Sequence, residues 1–300
     1  MNESALTIVV LTYRRDDILD IQVDRLISLF REHPIFDVLL IDNNADNKNR
    51  RAYFENCQFK YRVVTTPKNL GVAGGRNLGI KNSTSDILVF WDDDAIVEPN
   101  FPLDLILEYF NRNSTLGAIA FKSINPNTGE IDNYEFPHTN KKLSDSTTPF
   151  DTFRYIGVGH ALRRSILISV GMYDDTFFYG MEEFDLSYRL MDLGYRITYD
   201  PIFVLKHHRH DSGRLPENEK WAKSFANKLK VAHKNLPSHY YVSVAAVWFI
   251  YTIYKSRSLT APFKAIGIFR IWLVQSKPNR SPIHQTTISY IKSCGGKLYV

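Results

Sequence analysis

Four short stretches of this sequence gather residues able to do chemistry. In LVFWDDDAIVEPN, residues 88–100, a hydrophobic run ends on Asp92, Asp93 and Asp94. Three adjacent carboxylates repel one another, and ending a buried strand on them is costly unless something cancels the charge. A solvated turn capping the next helix would do so, and so would a divalent cation. A hard cation takes oxygen ligands and usually brings a phosphate with it. Alternate residues of an extended segment point apart, so Asp92 and Asp94 would hold different parts of one ligand. NLGVAGGRNLGI, residues 69–80, reads either as a phosphate loop opening a helix or as glycines for helix–sheet packing; glycine permits close backbone approach and a helix N-terminus favours an anion. GMEEFDLSYRL, residues 180–190, starts a helical pattern with Glu182 and Glu183, which suit the helix dipole without any further role. KHHRHDSG, residues 206–213, holds three histidines in four residues, on the plain reading a polar surface cluster.

The elements that must position these groups follow from hydrophobic patterning. LTIVVLTY, DVLLIDNN, YRVVTTP and DILVFWDDD are short continuous apolar runs with polar ends, the pattern of buried parallel strands. Ile18, Ile21, Leu26 and Leu29 recur at helical spacing between the first two, although Gln22 and Arg25 interrupt the stripe. Strand–helix alternation predicts an α/β layer whose ligand sits at the carboxyl ends of the strands, where TYRR, IDNN and WDDD converge. Residues 122–150 read as a long loop of the functional kind. YIGVGHALRRSILISVG predicts a strand and a short helix. In the helix after Met181, Leu186, Leu190 and Leu193 share a face, Asp185 pairs with Arg189, and Gly194 is the C-cap. YRITYDP is a further strand, ending at Pro201.

The chain has 300 residues, 44% hydrophobic, enough for a sizeable core and too apolar for disorder. Two distant cysteines, Cys57 and Cys294, fit no metal spacing and suggest a reduced, cytosolic protein. No basic region precedes the first apolar run, so no signal peptide is expected. Residues 1–219 carry 24 Lys/Arg against 32 Asp/Glu, a net charge of −8, whereas residues 220–300 carry 13 Lys/Arg and no acid. An acidic body thus continues into a basic segment suited to phosphates. Within that segment YYVSVAAVWFIYTIY, residues 240–254, is charge-free but shorter than the roughly 20 residues of a membrane span. A buried helix or an interfacial one is expected, and APFKAIGIFRIWLV repeats its basic-aromatic character.

Taken in order, VVLTYRR, LLIDNN, NLGVAGGRNLGI, LVFWDDDA, the stretch from GHALRRS to YRITYDP, and HHRHDSG resemble the family 2 glycosyltransferases. The resemblance covers roughly residues 5–210. It implies the GT-A fold, a Rossmann-like, mostly parallel central sheet flanked by helices. Residues 1–219 would form the catalytic domain, with a nucleotide-binding half to about residue 100 and an acceptor half beyond it, followed by a helical basic extension over 220–300. It also implies a Mn²⁺ or Mg²⁺ cofactor and a UDP- or dTDP-sugar donor. By the resemblance, Asp92 contacts the ribose side, Asp94 the metal, and Asp93 shares the work. Asp42 contacts the base edge, and Thr12, Tyr13 and Arg15 line the nucleotide pocket, with Tyr13 able to stack on the base. Asn69, Gly74 and Arg76 hold the donor. His207, and after it His208, ligates the metal or touches the diphosphate, whose departing charge Arg209 and Arg214 neutralise. Inverting transfer needs a carboxylate to deprotonate the acceptor hydroxyl. Glu183 has that position, although the family has Asp where this sequence has Glu, which leaves Glu182 and Asp185 open. Gly159 and His160 lie on the strand that the resemblance places beside the acceptor, where His160 reads equally as an acceptor contact or as a histidine satisfied within the core.

These expectations describe a metal-dependent inverting transferase acting on a lipid-linked oligosaccharide in bacterial surface polysaccharide synthesis, peripheral on the inner face of the plasma membrane. The same chemistry on a protein or natural-product acceptor and a non-catalytic sugar-nucleotide binder are the rival readings. A dinucleotide oxidoreductase is disfavoured because the glycines follow the third strand. No nucleic-acid recognition motif is present, and an oligomer is allowed.

Overall fold

The computed structural model describes residues 5–44, 49–209 and 216–299. In chain order the elements are β1 (Leu6–Thr12), α1 (Asp16–Glu32), β2 (Phe36–Asp42), β3 (Tyr61–Thr65), α2 (Gly71–Asn82), β4 (Ile87–Asp92), β5 (Ala95–Val97), α3 (Leu103–Arg112) and β6 (Leu116–Ile124). They continue with β7 (Phe150–Thr152), β8 (Gly159–Arg163), α4 (Arg164–Ser169), α5 (Glu182–Asp192) and β9 (Arg196–His207), and end in four helices: α6 (Glu217–Asn235), α7 (Ser238–Ser256), α8 (Ala261–Ser276) and α9 (Gln285–Ser293).

One sheet runs in the order β3-β2-β1-β4-β8-β6-β9-β5, with β7 also on β9. The four strands expected to be parallel are so, from β3 to β4; beyond β4 the sheet is mixed, because β8 runs antiparallel to both β4 and β6. Strand alternation splits the core into two layers. Leu6, Ile8 and Val10 of β1 face one layer with Leu19, Val23 and Leu26 of α1 and Ile106 and Phe110 of α3. Val9 faces the other, with residues of α2, α5 and the C-terminal helices.

Several local expectations are corrected. Gln22 is buried, its amide donating to the Ala95 carbonyl at 3.2 Å, while Ile21 is exposed. The α1 stripe is therefore Ile18, Leu19, Gln22, Val23, Leu26 and Leu29. Leu193 is also exposed, as the residue after α5, whereas Leu186 and Leu190 are buried. β9 does not stop at Pro201. The proline cannot supply a ladder N–H, so the chain bulges there: pairing with β6 shifts between Phe121 and Lys122, Asp200 accepts from the Ile202 N–H at 2.9 Å, and the strand resumes to His207. The expected boundary at 219 falls inside α6, and Ala222, Phe225 and Leu229 share one hydrophobic cluster with Phe90 of the sheet and Leu186 of α5.

Candidate active site

The polar ends of β1, β2 and β4 converge as parallel pairing requires, with Leu11 opposite Asp92 and Thr12 opposite Asp42. The repulsion within the acidic triplet is offset by the protein's own cations. One Arg15 nitrogen lies 2.8 Å from Asp93 Oδ1 and 2.6 Å from Asp94 Oδ2. Thr12 donates to Asp93 Oδ2 at 2.7 Å. Arg76 reaches Asp92 at 3.3 Å. Burial nonetheless raises the Asp93 carboxyl to about 7, against the pull of Arg15.

The far side of the site comes from β9 and the long loop after β6. β9 pairs antiparallel with β5, setting His207 opposite Ala95, and its Nε2 lies 3.5 Å from Asp94 Oδ1. His207 Nδ1 lies 2.8 Å from Glu135 Oε1, and Glu135 also accepts from Ser123 at 2.6 Å and Arg209 at 2.7 Å. Despite burial, Asp94 and Glu135 hold the imidazolium, raising its pKa to about 9. Glu135 is buried too, but His207 and its other donors bring its carboxyl down to about 2. Asp94 is likewise lowered: burial opposes its charge and the His207 hydrogen bond outweighs it. Glu135 was not legible in the sequence; an acid in a polar loop gives no periodic signal.

Arg76 is the hub. Its side chain is 2% exposed and lies 3.1 Å from Glu182, 3.8 Å from Glu183, 3.3 Å from Asp92 and 2.9 Å from the Gly157 carbonyl. The turn before α5 delivers the glutamates: Gly180 and Met181 both have positive φ, turning the chain sharply into the helix. Glu182 is buried beneath Arg76, and burial together with the Glu183 charge raises its carboxyl to about 8. The Glu183 side chain keeps 17% exposure and is the accessible one of the pair. A Cβ added at Gly157 would fall 2.4 Å from Glu183 Oε1 and 2.8 Å from Arg76, so a side chain here would displace the ends of both.

Other candidates lie elsewhere. Asp185 is fully buried and faces α6, bound by Arg189 at 2.7 Å, Lys234 at 2.9 Å and Asn235 at 2.8 Å; it holds helices together and cannot act as the base. The Asp185–Arg189 pair itself is as expected. His160 is a core residue, stacked against Phe90 and Tyr155, with Nε2 3.0 Å from the Tyr173 hydroxyl and Nδ1 3.1 Å from the Ile156 carbonyl. Burial keeps it neutral, and it cannot touch an acceptor. Gly159 is a packing position, with Leu205 2.0 Å from where a Cβ would stand. Asp42 is wholly buried, with Arg50 Nε 3.3 Å away. Gly74 is buried inside α2 against Leu70 rather than at the helix N-terminus. Asn69 shapes that loop, accepting from the Gly71 N–H at 2.8 Å and from Asn43 at 3.0 Å. Tyr13 is half-buried at the rim, with Arg14 5.2 Å over its ring. His208 is exposed and only its backbone N–H, donating to the Asp94 carbonyl at 2.8 Å, joins the site. Arg214 lies outside the described residues.

Among the described residues no three ligating side chains already converge on one point. The donor set nevertheless fits a divalent cation: Asp94 Oδ1 is buried with only the long 3.5 Å contact to His207 Nε2, and carboxylates with an imidazole suit Mn²⁺ or Mg²⁺.

The family model for glycosyl transferase family 2 matches residues 7–171, more than half of the chain. The chain belongs to that family. An uncharacterised protein of Haemophilus influenzae is 34% identical over 140 residues, covering 45% of this chain and 75% of that one. The poly-beta-1,6-N-acetyl-D-glucosamine synthase of Staphylococcus aureus is 26% identical over 202 residues, 66% of this chain and 48% of the synthase. This chain thus spans less than half of that relative. The crystal structure of GalNAc-T7 with UDP, GalNAc and Mn²⁺ superposes with a TM-score of 0.62 at 15% identity, covering 92% of this chain and 58% of that one. The likeness shows the GT-A fold. The protein is a family 2 glycosyltransferase, with a central sheet between helical layers and a helical C-terminal region.

Proposed function

We propose that this glycosyltransferase is metal-dependent and inverting, and moves a sugar from a UDP- or dTDP-sugar to an acceptor hydroxyl. The observation that carries the reading is Arg76, one guanidinium joining the acidic triplet to the glutamate pair. Donor and acceptor chemistry need that proximity: phosphates are held at one end and a proton is taken at the other. GalNAc-T7, with the same fold, holds UDP and Mn²⁺, which supports a divalent ion here.

Asp94 and His207, with Asp92, would hold the ion, and when bound it neutralises the departing diphosphate. Arg15, now held by Asp93 and Asp94, would be within the site to meet the phosphates, and Thr12 and Tyr13 would line the nucleoside. Glu183 takes the hydroxyl proton from the acceptor. Arg76 lies 3.8 Å from the Glu183 carboxylate and 3.1 Å from Glu182, whose charged form it favours, so that buried Glu182 positions Arg76 rather than reacting. The acceptor is carbohydrate on a lipid carrier, by analogy with relatives that build polysaccharide. The enzyme would then work at the inner face of the plasma membrane.

The deciding experiment is donor binding and turnover in Glu183→Gln. The variant should bind UDP-sugar with Mn²⁺ as the parent does, and lose transfer by about two to four orders of magnitude. Unchanged turnover rules Glu183 out as the base. Absence of any Mn²⁺-dependent UDP- or dTDP-sugar hydrolysis by the parent rules out the donor assignment.

A further inference from the structure

The C-terminal helices expose apolar residues where a soluble surface would carry charge. Of the seventeen large hydrophobic residues exposed among the described residues, nine fall between Val242 and Val274. Clustering of that kind marks a contact surface, whereas scattered single residues would not. Helix α7 is apolar on both sides. Val244, Trp248 and Thr252 face inward, and Val242, Ile250 and Tyr254 face outward at helical spacing. The turn after it exposes Leu259, and α8 adds Phe263 and Val274. The two helices touch through Phe249 and Phe263, whose rings lie 5.4 Å apart, so their outward residues form one continuous face. Around that face stand Lys255, Arg257, Lys264 and Arg270, all exposed, in a segment with no acid after Glu219.

We propose that this α7–α8 face docks on an anionic phospholipid surface, its apolar side chains entering the interface and its cations meeting the headgroups. Apolar residues ringed by Lys and Arg are the composition of an interfacial helix pair, and no described helix is long and apolar enough to cross a membrane. A second copy of the chain fits worse, because a two-fold contact through this face would set the same cations against one another.

The proposal deepens the lipid-borne acceptor reading and rests on it for its purpose, because the face is mechanically joined to the glutamate pair. Helix α6 lies between them. On one side it packs against α7 through Phe225 and Trp248, whose rings lie 6.5 Å apart, and against α8 through His233 and Phe269, 5.9 Å apart. On the other, Asn227 donates to the Tyr179 and Gly180 carbonyls at 3.0 and 2.9 Å, the turn that leads into Glu182 and Glu183. Lys228 of α6 stands 4.5 Å from the Phe184 ring and 5.7 Å from Trp248. One helix, α6, therefore links the α7–α8 pair to the turn that carries the accessible carboxylate.

The test is vesicle flotation of the full chain on phosphatidylcholine alone and on phosphatidylcholine mixed with phosphatidylglycerol. The parent should float with the mixed vesicles and not with the neutral ones. Replacing Lys264 and Arg270 together by Gln should lower the partition onto mixed vesicles roughly thirtyfold. Ile250→Asp with Val274→Asp should abolish it. All four positions are exposed, so the variants should melt with the parent. Failure of the parent to float, or flotation of the double Asp variant, overturns the proposal. So does self-association of the parent in sedimentation that the double Asp variant abolishes, which would give the face to a second copy. UDP-sugar hydrolysis in solution should be the same in parent and variants. Hydrolysis without flotation sinks the docking face alone, and flotation without hydrolysis sinks the donor reading alone.

Discussion

Arg76→Met removes the cation shared by three carboxylates while keeping an unbranched side chain of similar length. Glu182 is 2% exposed and Arg76 is the cation on it, so the substitution leaves a buried carboxyl beside Glu183 without its counter-charge. Breaking one partner of a buried pair costs about 3–5 kcal/mol. Asp92 and Glu183, 31% and 17% exposed, add less because water reaches them. The cost must depend on pH. In the parent the Glu182 carboxyl already stands near 8, above its unfolded value of roughly 4.3, so the stability it contributes is complete in acid and lost as pH rises through 8. Without Arg76 the folded carboxyl binds its proton still more tightly. The variant should therefore lose little at pH 5 and most at pH 9, where about 4 kcal/mol corresponds to a melting temperature roughly 6 °C lower. Denaturant melts at the two pH values measure this, and adding Glu182→Gln should restore much of the loss at pH 9, a coupling that independent sites would not show. A loss equal at both pH values, or no rescue by Glu182→Gln, would refute the assignment of Arg76 as the counter-charge of Glu182.

Three further outcomes are expected. Asp94→Ala should abolish the Mn²⁺-dependent part of the thermal shift given by a nucleotide sugar while leaving the metal-free melt measurable. Glu135→Gln should weaken Mn²⁺ binding in the presence of UDP by about 10–100-fold, read by the free Mn²⁺ signal in electron paramagnetic resonance, because Glu135 orients His207 through Nδ1; Glu135→Asp should recover part of it. In chelator, His207 contributes stability that is complete below about pH 6.5 and lost as pH rises through 9, so the melting temperature should fall over that window and His207→Gln should flatten the fall.

What the sequence disclosed and what it hid divide along a physical line. The parallel block from β3 to β4 was legible because strands buried on both faces must be continuously apolar, and their polar ends must then share an edge. That placed Thr12, Arg15 and the acidic triplet together without any coordinates. Residues whose neighbours come from distant chain were hidden. Asp185 and Glu183 stand two apart in one helix turn, yet Asp185 faces Lys234 and Asn235 of α6, and the local pattern cannot say which side α6 will cover. His160 has the polarity of a ligand in sequence; its burial follows from Tyr155 and Tyr173 closing over it, with Tyr173 thirteen residues away. Pro201 was a correct reading of what proline does to a ladder and a wrong reading of the consequence. A bulge absorbs the missing donor, and the strand it lets continue carries His207 to Asp94.

That continuation also explains why the metal-free site tolerates its charge. Counted as full charges, Asp92, Asp93 and Asp94 face Arg15, Arg76 and the His207 imidazolium, and Glu182 and Glu135 are each shared with one of those cations. The set is balanced only while Glu182 and Asp93 both hold protons, and burial raises both carboxyls, to about 8 and about 7. A divalent cation entering at Asp94 supplies the missing charge. Binding should therefore release protons near neutral pH, and calorimetric titration of Mn²⁺ with UDP in two buffers of different ionisation enthalpy reads their number. Release that vanishes in Asp93→Asn with Glu182→Gln supports this balance; proton release unchanged in that double variant would place the titrating groups elsewhere.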